Sequence, residues 1–120
     1  DCIDEYQKLT EDFSYSTNIE KGYKFYISNF ITEEGAPKFY HNNPFPIDCT
    51  AASQTILTTL RFGDRAIAKN VAAFMRDNLQ KPNGSFKFRK FKSYTITTSF
   101  MRWSDAWMFA ALSNLKKNTK

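Results

Sequence analysis

The sequence predicts an all-α fold in which helical hairpins form two layers, with short connectors that resemble β-hairpins. Three observations predict it: amphipathic segments with helix-start signals, two helical segments without charge, and an internal repeat of about 50 residues. The chain has 120 residues, of which 42% are hydrophobic and 17% aromatic. This composition suffices for a packed core, so we expect one domain covering residues 1–120.

The first strong helix signal is a capping box formed by Thr17 and Glu20. Apolar residues follow it at helical spacing, and the opposite face is polar. We therefore predict a helix from about Thr17 to Ile31 that lies in the outer, solvent-facing layer of helices. The stripe consists of Ile19, Tyr23, Tyr26, Ile27 and Phe30. The preceding segment, Ile3 to Phe13, is predicted to be an inner helix.

Two later segments predict inner helices because they lack charge. Asp48 is placed to cap a helix from Cys49 to about Leu60, and no charged residue lies between Ala51 and Leu60. A last helix, from Ser104 or Asp105 to Leu115, is likewise uncharged from Ala106 onward. A helix without a solvated face is expected to pack on several sides.

A further outer helix is predicted between these two, with Asp64 as its cap. Its apolar stripe consists of Ile67, Val71, Phe74, Met75 and Leu79, and its other face is charged. The order outer, inner, outer, inner predicts two concentric layers, because helices sharing one surface layer would each keep a charged face. About two and a half hairpins are present.

The connectors carry the internal repeat. Residues 35–39 align with residues 84–88, and each segment lies between an outer helix and the inner helix that follows. In the second connector, alternation predicts that Phe86 and Phe88 are buried while Lys87 and Arg89 face solvent.

The net charge of +5 comes from basic residues concentrated in two short segments, 87–92 and 116–120. Without Lys87, Arg89, Lys90, Lys92, Lys116, Lys117 and Lys120, ten basic residues face twelve acidic ones, a net charge of −2. The run from 86 to 92 interleaves aromatic and basic residues, as single-stranded nucleic-acid surfaces do. A hairpin with one buried face gives the same pattern, and we rank nucleic acid below an anionic polysaccharide or a protein partner.

Several classes of protein are disfavoured. No apolar run is long enough for a transmembrane helix, so no membrane partner is expected. Cys2 and Cys49 lack metal-ligand or disulfide-framework spacing. We therefore expect no metal, no cofactor and a reducing, cytoplasmic location. The chain begins at Asp1 without an initiator Met, which suggests a processed protein or a part of a longer chain, and we favour the second.

The connector residues resemble those of the α/α toroids, which include terpenoid cyclases, prenyltransferase β-subunits and six-hairpin glycosidases. Residues 74–86, with Gln80, Gly84 and Phe86, resemble the glutamine–aromatic repeat of those rings. Residues 83–86, Tyr94 and residues 101–108 resemble the C-terminal third of uncharacterised bacterial toroid proteins found with polysaccharide-biosynthesis genes. The resemblance covers roughly Tyr15 to Leu115 and implies an incomplete α/α toroid.

Such chains are sometimes labelled delta-aminolevulinic acid dehydratase. The sequence gives that label no physical support, because a Schiff-base enzyme on a β/α barrel needs a longer chain and alternating strands and helices. A complete toroid needs about six hairpins, so either a homo-oligomer or the missing part of the ring is expected to cover the exposed edges.

The resemblance implies a ligand pocket where the inner helices begin. Asp48 and Asp105 are the candidate catalytic acid and base, since paired carboxylates suit sugar chemistry. The candidate substrate-binding residues are Tyr40, His41, Tyr94, Arg102, Trp103 and Trp107. The alternatives are structural: helix capping for the aspartates, a loop position for the histidine and core packing for the tryptophans. Arg102 is expected to pair with Asp48 or Asp105.

These observations favour a protein that acts on or binds carbohydrate in polysaccharide metabolism. The alternative is a noncatalytic scaffold or binding module for a protein or a polyanionic partner. A cyclase or prenyl-handling function is disfavoured because the sequence contains no DxDD or DDxxD acid cluster.

Overall fold

The computed structural model describes residues 1–117, which form mainly helices and one small antiparallel sheet. No helix in this range is long and apolar enough to cross a membrane. The elements in chain order are α1 (Cys2–Thr10), α2 (Ser16–Phe30), β1 (Ile47–Asp48), α3 (Cys49–Arg61), α4 (Arg65–Leu79), β2 (Arg89–Lys90), β3 (Thr95–Ile96), a π-helical segment (Met101–Asp105) and α5 (Ala106–Lys117).

The uncharged helix α3 is the centre of the core, as the sequence predicts. It packs on α4 and α5, and its buried apolar residues Ala52 and Ile56 belong to one core cluster with Val71 and Met75 of α4 and Met108 of α5. Three buried hydroxyls of α3 donate hydrogen bonds to backbone carbonyls one turn earlier, from Ser53, Thr55 and Thr59. Because these hydroxyls bond within the helix, polar residues are tolerated in a buried position.

The two connectors have the same backbone structure, which confirms the internal repeat. Gly35 and Gly84 both adopt a left-handed conformation, with φ of 86° and 87°. Each glycine N–H donates to a carbonyl three residues earlier, and an antiparallel bridge follows in each copy, Ile31 with Pro37 and Gln80 with Phe86. Gly35 is also irreplaceable on steric grounds, since a Cβ there would lie 2.9 Å from backbone atoms of Asn70.

The sheet has the order β1, β2, β3 and holds the two connectors together. The predicted hairpin is formed by β2 and β3, with Arg89 opposite Ile96. The third strand, β1, precedes α3 directly and places Asp48 opposite Arg89. This pairing corrects the expectation that Arg89 faces solvent, because residues opposite each other in an antiparallel pair share a face.

Helix α1 differs from the inner helix that the sequence predicts. It ends at Thr10, and Glu11 takes a left-handed conformation, so Phe13 lies beyond the helix. Its buried residue is Gln7, while Ile3, Tyr6 and Leu9 are exposed. The apolar stripe was therefore identified correctly as a helix pattern, but it faces away from the core.

Two predicted helix starts also differ. Helix α2 begins at Ser16, and no side chain caps it, so Thr17 and Glu20 form no capping box. Asp64 occupies the cap position of α4, yet its carboxylate accepts a hydrogen bond from the hydroxyl of Tyr23 instead. Burial, together with this carboxylate, raises the pKa of Tyr23. Asp64 thus joins α2 to α4 rather than capping α4.

Candidate functional site

Asp48 is buried where β1 meets α3, and both of its carboxylate oxygens are engaged. Oδ1 accepts hydrogen bonds from the backbone N–H groups of Thr50 and Ala51, at 2.9 and 3.1 Å. Oδ2 accepts from Nε of Arg89 at 2.7 Å. The predicted capping role of Asp48 is confirmed, and its cationic partner is Arg89.

Arg102 is therefore not the partner of Asp48, which corrects the expected pairing. It lies in the π-helical segment, is exposed, and forms no ion pair with any residue from 1 to 117. The strand register decides this outcome: β1 and β2 place Arg89 directly across from Asp48. An exposed guanidinium needs no buried anion, so the desolvation argument for an Arg102 partner does not apply.

Asp105 joins the second connector to the last helix. Its Oδ1 accepts a hydrogen bond from the backbone N–H of Phe86 at 2.8 Å. This bond fixes the buried Phe86 against the end of the π-helical segment, which precedes α5. The two predicted catalytic carboxylates thus both make structural bonds, Asp48 within β1 and α3 and Asp105 to the connector.

An aromatic surface lies beside the Asp48–Arg89 pair. Phe88, Phe100 and Trp103 contact one another, with ring centroids 5.0 to 6.1 Å apart. The Arg89 guanidinium lies 4.8 Å from the ring centroid of Phe88 and 5.4 Å from that of Phe39. We call Phe39, Phe88, Arg89, Phe100 and Trp103 the aromatic surface. Trp103 is 52% exposed, so one large ring is open to solvent.

The hydroxyl of Thr50 donates to the Trp103 carbonyl at 2.9 Å, which joins the beginning of α3 to the π-helical segment. Of the predicted binding residues, the structure therefore brings Trp103 to the site. Tyr40 lies at the edge of the aromatic surface, where it packs on Phe39. The other predicted residues are not among its members: Tyr94 stacks on Phe91, His41 lies near Phe30, and Trp107 is exposed on α5.

Sequence reasoning missed four of the five members of the aromatic surface, Phe39, Phe88, Arg89 and Phe100. The run from 86 to 92 gave one usable signal, since it alternates phenylalanine with cations. The signal was incomplete because the partner of Arg89 comes from β1, 41 residues earlier.

Five cavities within residues 1–117 have linings that include none of the predicted site residues. The largest of these, about 660 Å³, lies between α1, α2 and α3 and is lined by Ile3, Tyr23, Tyr26 and Phe62 among others. The aromatic surface is an open face, since Phe39, Phe100 and Trp103 are exposed. In the same range, no group of three or more His, Cys, Asp or Glu residues is arranged to hold a metal ion.

Cys49 begins α3 behind this surface. Its thiol donates to the Lys87 carbonyl at 3.0 Å, and burial, with smaller contributions from Asp48 and Asp105, raises its pKa to about 12. Since the thiolate is the nucleophile, this thiol is expected to be unreactive in the folded protein.

We predict that a thiol reagent labels one cysteine per folded chain, the exposed Cys2, and both cysteines in denaturant. Mass spectrometry after brief labelling near pH 8 measures this, and a Cys2→Ser variant serves as the control, with no label expected before unfolding. Rapid native labelling of Cys49 would contradict the burial described above.

Comparison of the chain with protein families, curated proteins and solved structures found no match. The class that the structure itself defines is a mainly helical domain with a small antiparallel sheet, bearing an open aromatic and cationic face where α3 and the π-helical segment begin.

Proposed function

We propose that this chain is a carbohydrate-binding helical domain and that the aromatic surface stacks on sugar rings. The observation that carries the proposal is the exposed ring of Trp103, held in place by Phe88 and Phe100 beside the Arg89 guanidinium. Flat aromatic faces offer apolar area to the C–H face of a sugar, and an arginine offers donors to its hydroxyl or carboxylate oxygens.

Binding fits the geometry better than catalysis does. A pair of carboxylates acting as acid and base needs oxygens that can reach the substrate. Asp48 is buried with both oxygens bonded, and Asp105 accepts a bond from the Phe86 backbone. The two aspartates are better suited to shaping the surface than to transferring protons.

The arrangement of helices supports the proposal that the chain is part of an α/α toroid. Central α3 packs against α5, the next predicted inner helix, while α4 packs on α3 from the other layer. The glutamine–aromatic connector has a matching structural role: Gln80 donates to the Gly84 carbonyl, and Phe86 is buried.

Nucleic acid ranks lower, because the aromatic rings of the basic run already pack within the protein. Phe86 is buried, and Phe88 contacts Phe100 and Trp103. Phe91 stacks on Tyr94 with ring centroids 4.5 Å apart. A single-stranded nucleic acid needs successive aromatic rings free to stack on bases, and the run offers few.

We expect Trp103→Ala to weaken binding of a soluble polysaccharide by about tenfold or more, because a central tryptophan commonly carries much of the energy of an interface. Affinity electrophoresis with a neutral glucan and with a uronic-acid polysaccharide identifies the bound class, and calorimetry measures the change.

The matched control is Phe25→Ala, which removes an exposed ring of α2 outside the aromatic surface. Its affinity should equal that of the unmodified chain. The proposal fails if neither polysaccharide binds, or if both variants bind as the unmodified chain does.

The scaffold function is a second candidate, and a separate observation favours it. Large apolar side chains are exposed along α1, including Ile3, Tyr6 and Leu9. Several exposed apolar side chains on one helix are typical of a surface that contacts another protein.

A further inference from the structure

The cavity between α1, α2 and α3 is a second candidate site, separate from the aromatic surface. Its lining from the α3 side consists of Gln54, Thr58 and Phe62, whereas the aromatic surface lies where α3 begins. None of the five residues of the aromatic surface lines this cavity. Its volume of about 660 Å³ lies within the range of roughly 300–1,000 Å³ typical of small-molecule sites. The proposed function makes no use of it.

Aromatic rings form much of the cavity wall, and the hydroxyls of its tyrosines are already bonded to the protein. Tyr23 stacks on Phe62 with ring centroids 4.3 Å apart, and its hydroxyl donates to Asp64. The hydroxyl of Tyr26 bonds to that of Thr55 at 2.7 Å. Because these contacts hold the rings in place without a ligand, the wall is preorganised and offers aromatic rather than polar area.

Gly22 leaves open space on the α2 side of the cavity. It lies inside α2 and shares a helix face with Ile19, Tyr23 and Tyr26, and a Cβ at this position would meet no atom within 4 Å. The other three glycines of the chain have positive φ, whereas Gly22 does not. A glycine inside a helix lowers its stability relative to alanine. Neither backbone conformation nor packing in the described residues requires this glycine, so its effect is to keep the cavity open.

We propose that the cavity between α1, α2 and α3 binds a small, uncharged aromatic molecule. Its lining is mainly apolar, and contact with several rings favours an aromatic ligand over an aliphatic one of the same size. The charged residues of the lining are acidic, Asp1 and Asp4, and no lysine or arginine of residues 1–117 lines it. A negative charge on the ligand would therefore find no partner there.

A cationic ligand is disfavoured by the bonds that the two acids already make. Asp4 pairs with Lys8 and Arg61, each at 2.8 Å. Asp1 accepts a hydrogen bond from Gln54 of α3. A ligand cation would have to compete with these partners, whereas an uncharged ring leaves them in place.

Fluorescence titration with N-phenyl-1-naphthylamine tests the proposal, because this uncharged aromatic probe brightens in apolar surroundings. We expect saturable binding at a single site on the 120-residue chain. The anionic relative 1-anilinonaphthalene-8-sulfonate has the same rings and one added sulfonate. It should bind about tenfold more weakly or less, since the cavity offers no partner for its charge.

Filling the cavity should remove binding of the uncharged probe without unfolding the chain. Gly22→Leu places a side chain in the open space and is expected to weaken binding by about tenfold or more. Its melting temperature should equal or exceed that of the unmodified chain, because leucine is the better helix former. If circular dichroism shows that Gly22→Leu does not fold, Ile19→Trp fills the same cavity.

The matched control is Ser28→Leu, which places the same side chain at an exposed position on the opposite face of α2. It should bind the uncharged probe as the unmodified chain does. Polysaccharide binding should be unchanged in Gly22→Leu, so the proposed function of the aromatic surface is tested separately.

The proposal is overturned if the uncharged probe shows no saturable binding, or if a folded cavity-filling variant binds it as tightly as Ser28→Leu does. Equal affinity for the sulfonate would show that the ligand need not be uncharged. Displacement of the probe by 1-decanol, but not by naphthalene with the same number of carbons, would show that the site selects aliphatic chains. Either result contradicts the proposed class of ligand.

Discussion

Replacing Asp48 with Ala is expected to lower the free energy of unfolding by about 3 kcal/mol, because two contributions disappear together. The carboxylate caps α3 through the N–H groups of Thr50 and Ala51. It also accepts the hydrogen bond of the half-buried Arg89 from the neighbouring strand. Urea unfolding followed by circular dichroism measures the loss.

Asp48→Asn separates the two contributions. Asparagine is as good a helix cap as aspartate, but its neutral amide cannot hold the Arg89 guanidinium as an anion does. About half of the loss, near 1.5 kcal/mol, is therefore expected in this variant. If Asp48→Ala were as stable as the unmodified chain, the structural role of Asp48 would be wrong. The catalytic role expected from the sequence would then be favoured.

Replacing Phe86 with Ala is expected to cost about 4 kcal/mol, since the phenylalanine is only 4% exposed and belongs to the main core. The cavity would open beside α4 and α5, and the connector would lose the side chain that fixes it to the core. The same unfolding experiment measures this loss.

Two further variants serve as controls for Phe86. Phe88 is half-buried within the aromatic surface, so Phe88→Ala should cost roughly half as much. Phe109 is 74% exposed, and Phe109→Ala should change stability by less than about 0.5 kcal/mol. If Phe86→Ala lowered stability less than Phe88→Ala does, the burial of Phe86 in the core would be wrong.

Helix positions were predictable because the signals for them are local. The stripes at 3.6-residue spacing and the cap Asp48 identify α2, α3 and α4 to within a residue or two. The absence of charge in α3 correctly predicted a helix buried on several sides, since a charged residue there would lose its hydration. The same signal was less informative for α5, which buries Met108 and Ala111 but leaves Trp107 and Phe109 exposed.

Local information also accounts for the confirmed repeat. The hydrogen bonds that shape each connector join residues only a few positions apart, around Gly35 and Gly84. Similar short segments therefore fold alike in both copies, whatever surrounds them.

Only the tertiary structure decided the composition of the candidate site. Strand β1 pairs with β2 from the following connector, and this register chose Arg89 over Arg102 as the partner of Asp48. The amphipathic pattern of α1 predicts that its apolar side meets the protein. In the structure that side is exposed, and Asp4 and Glu5 of α1 pair with Arg61 of α3 instead. The sequence by itself determined the helices and the connectors, through contacts within one or two turns. Which side chains meet across elements depended on pairings between distant segments, and no periodicity within a single segment encodes those pairings.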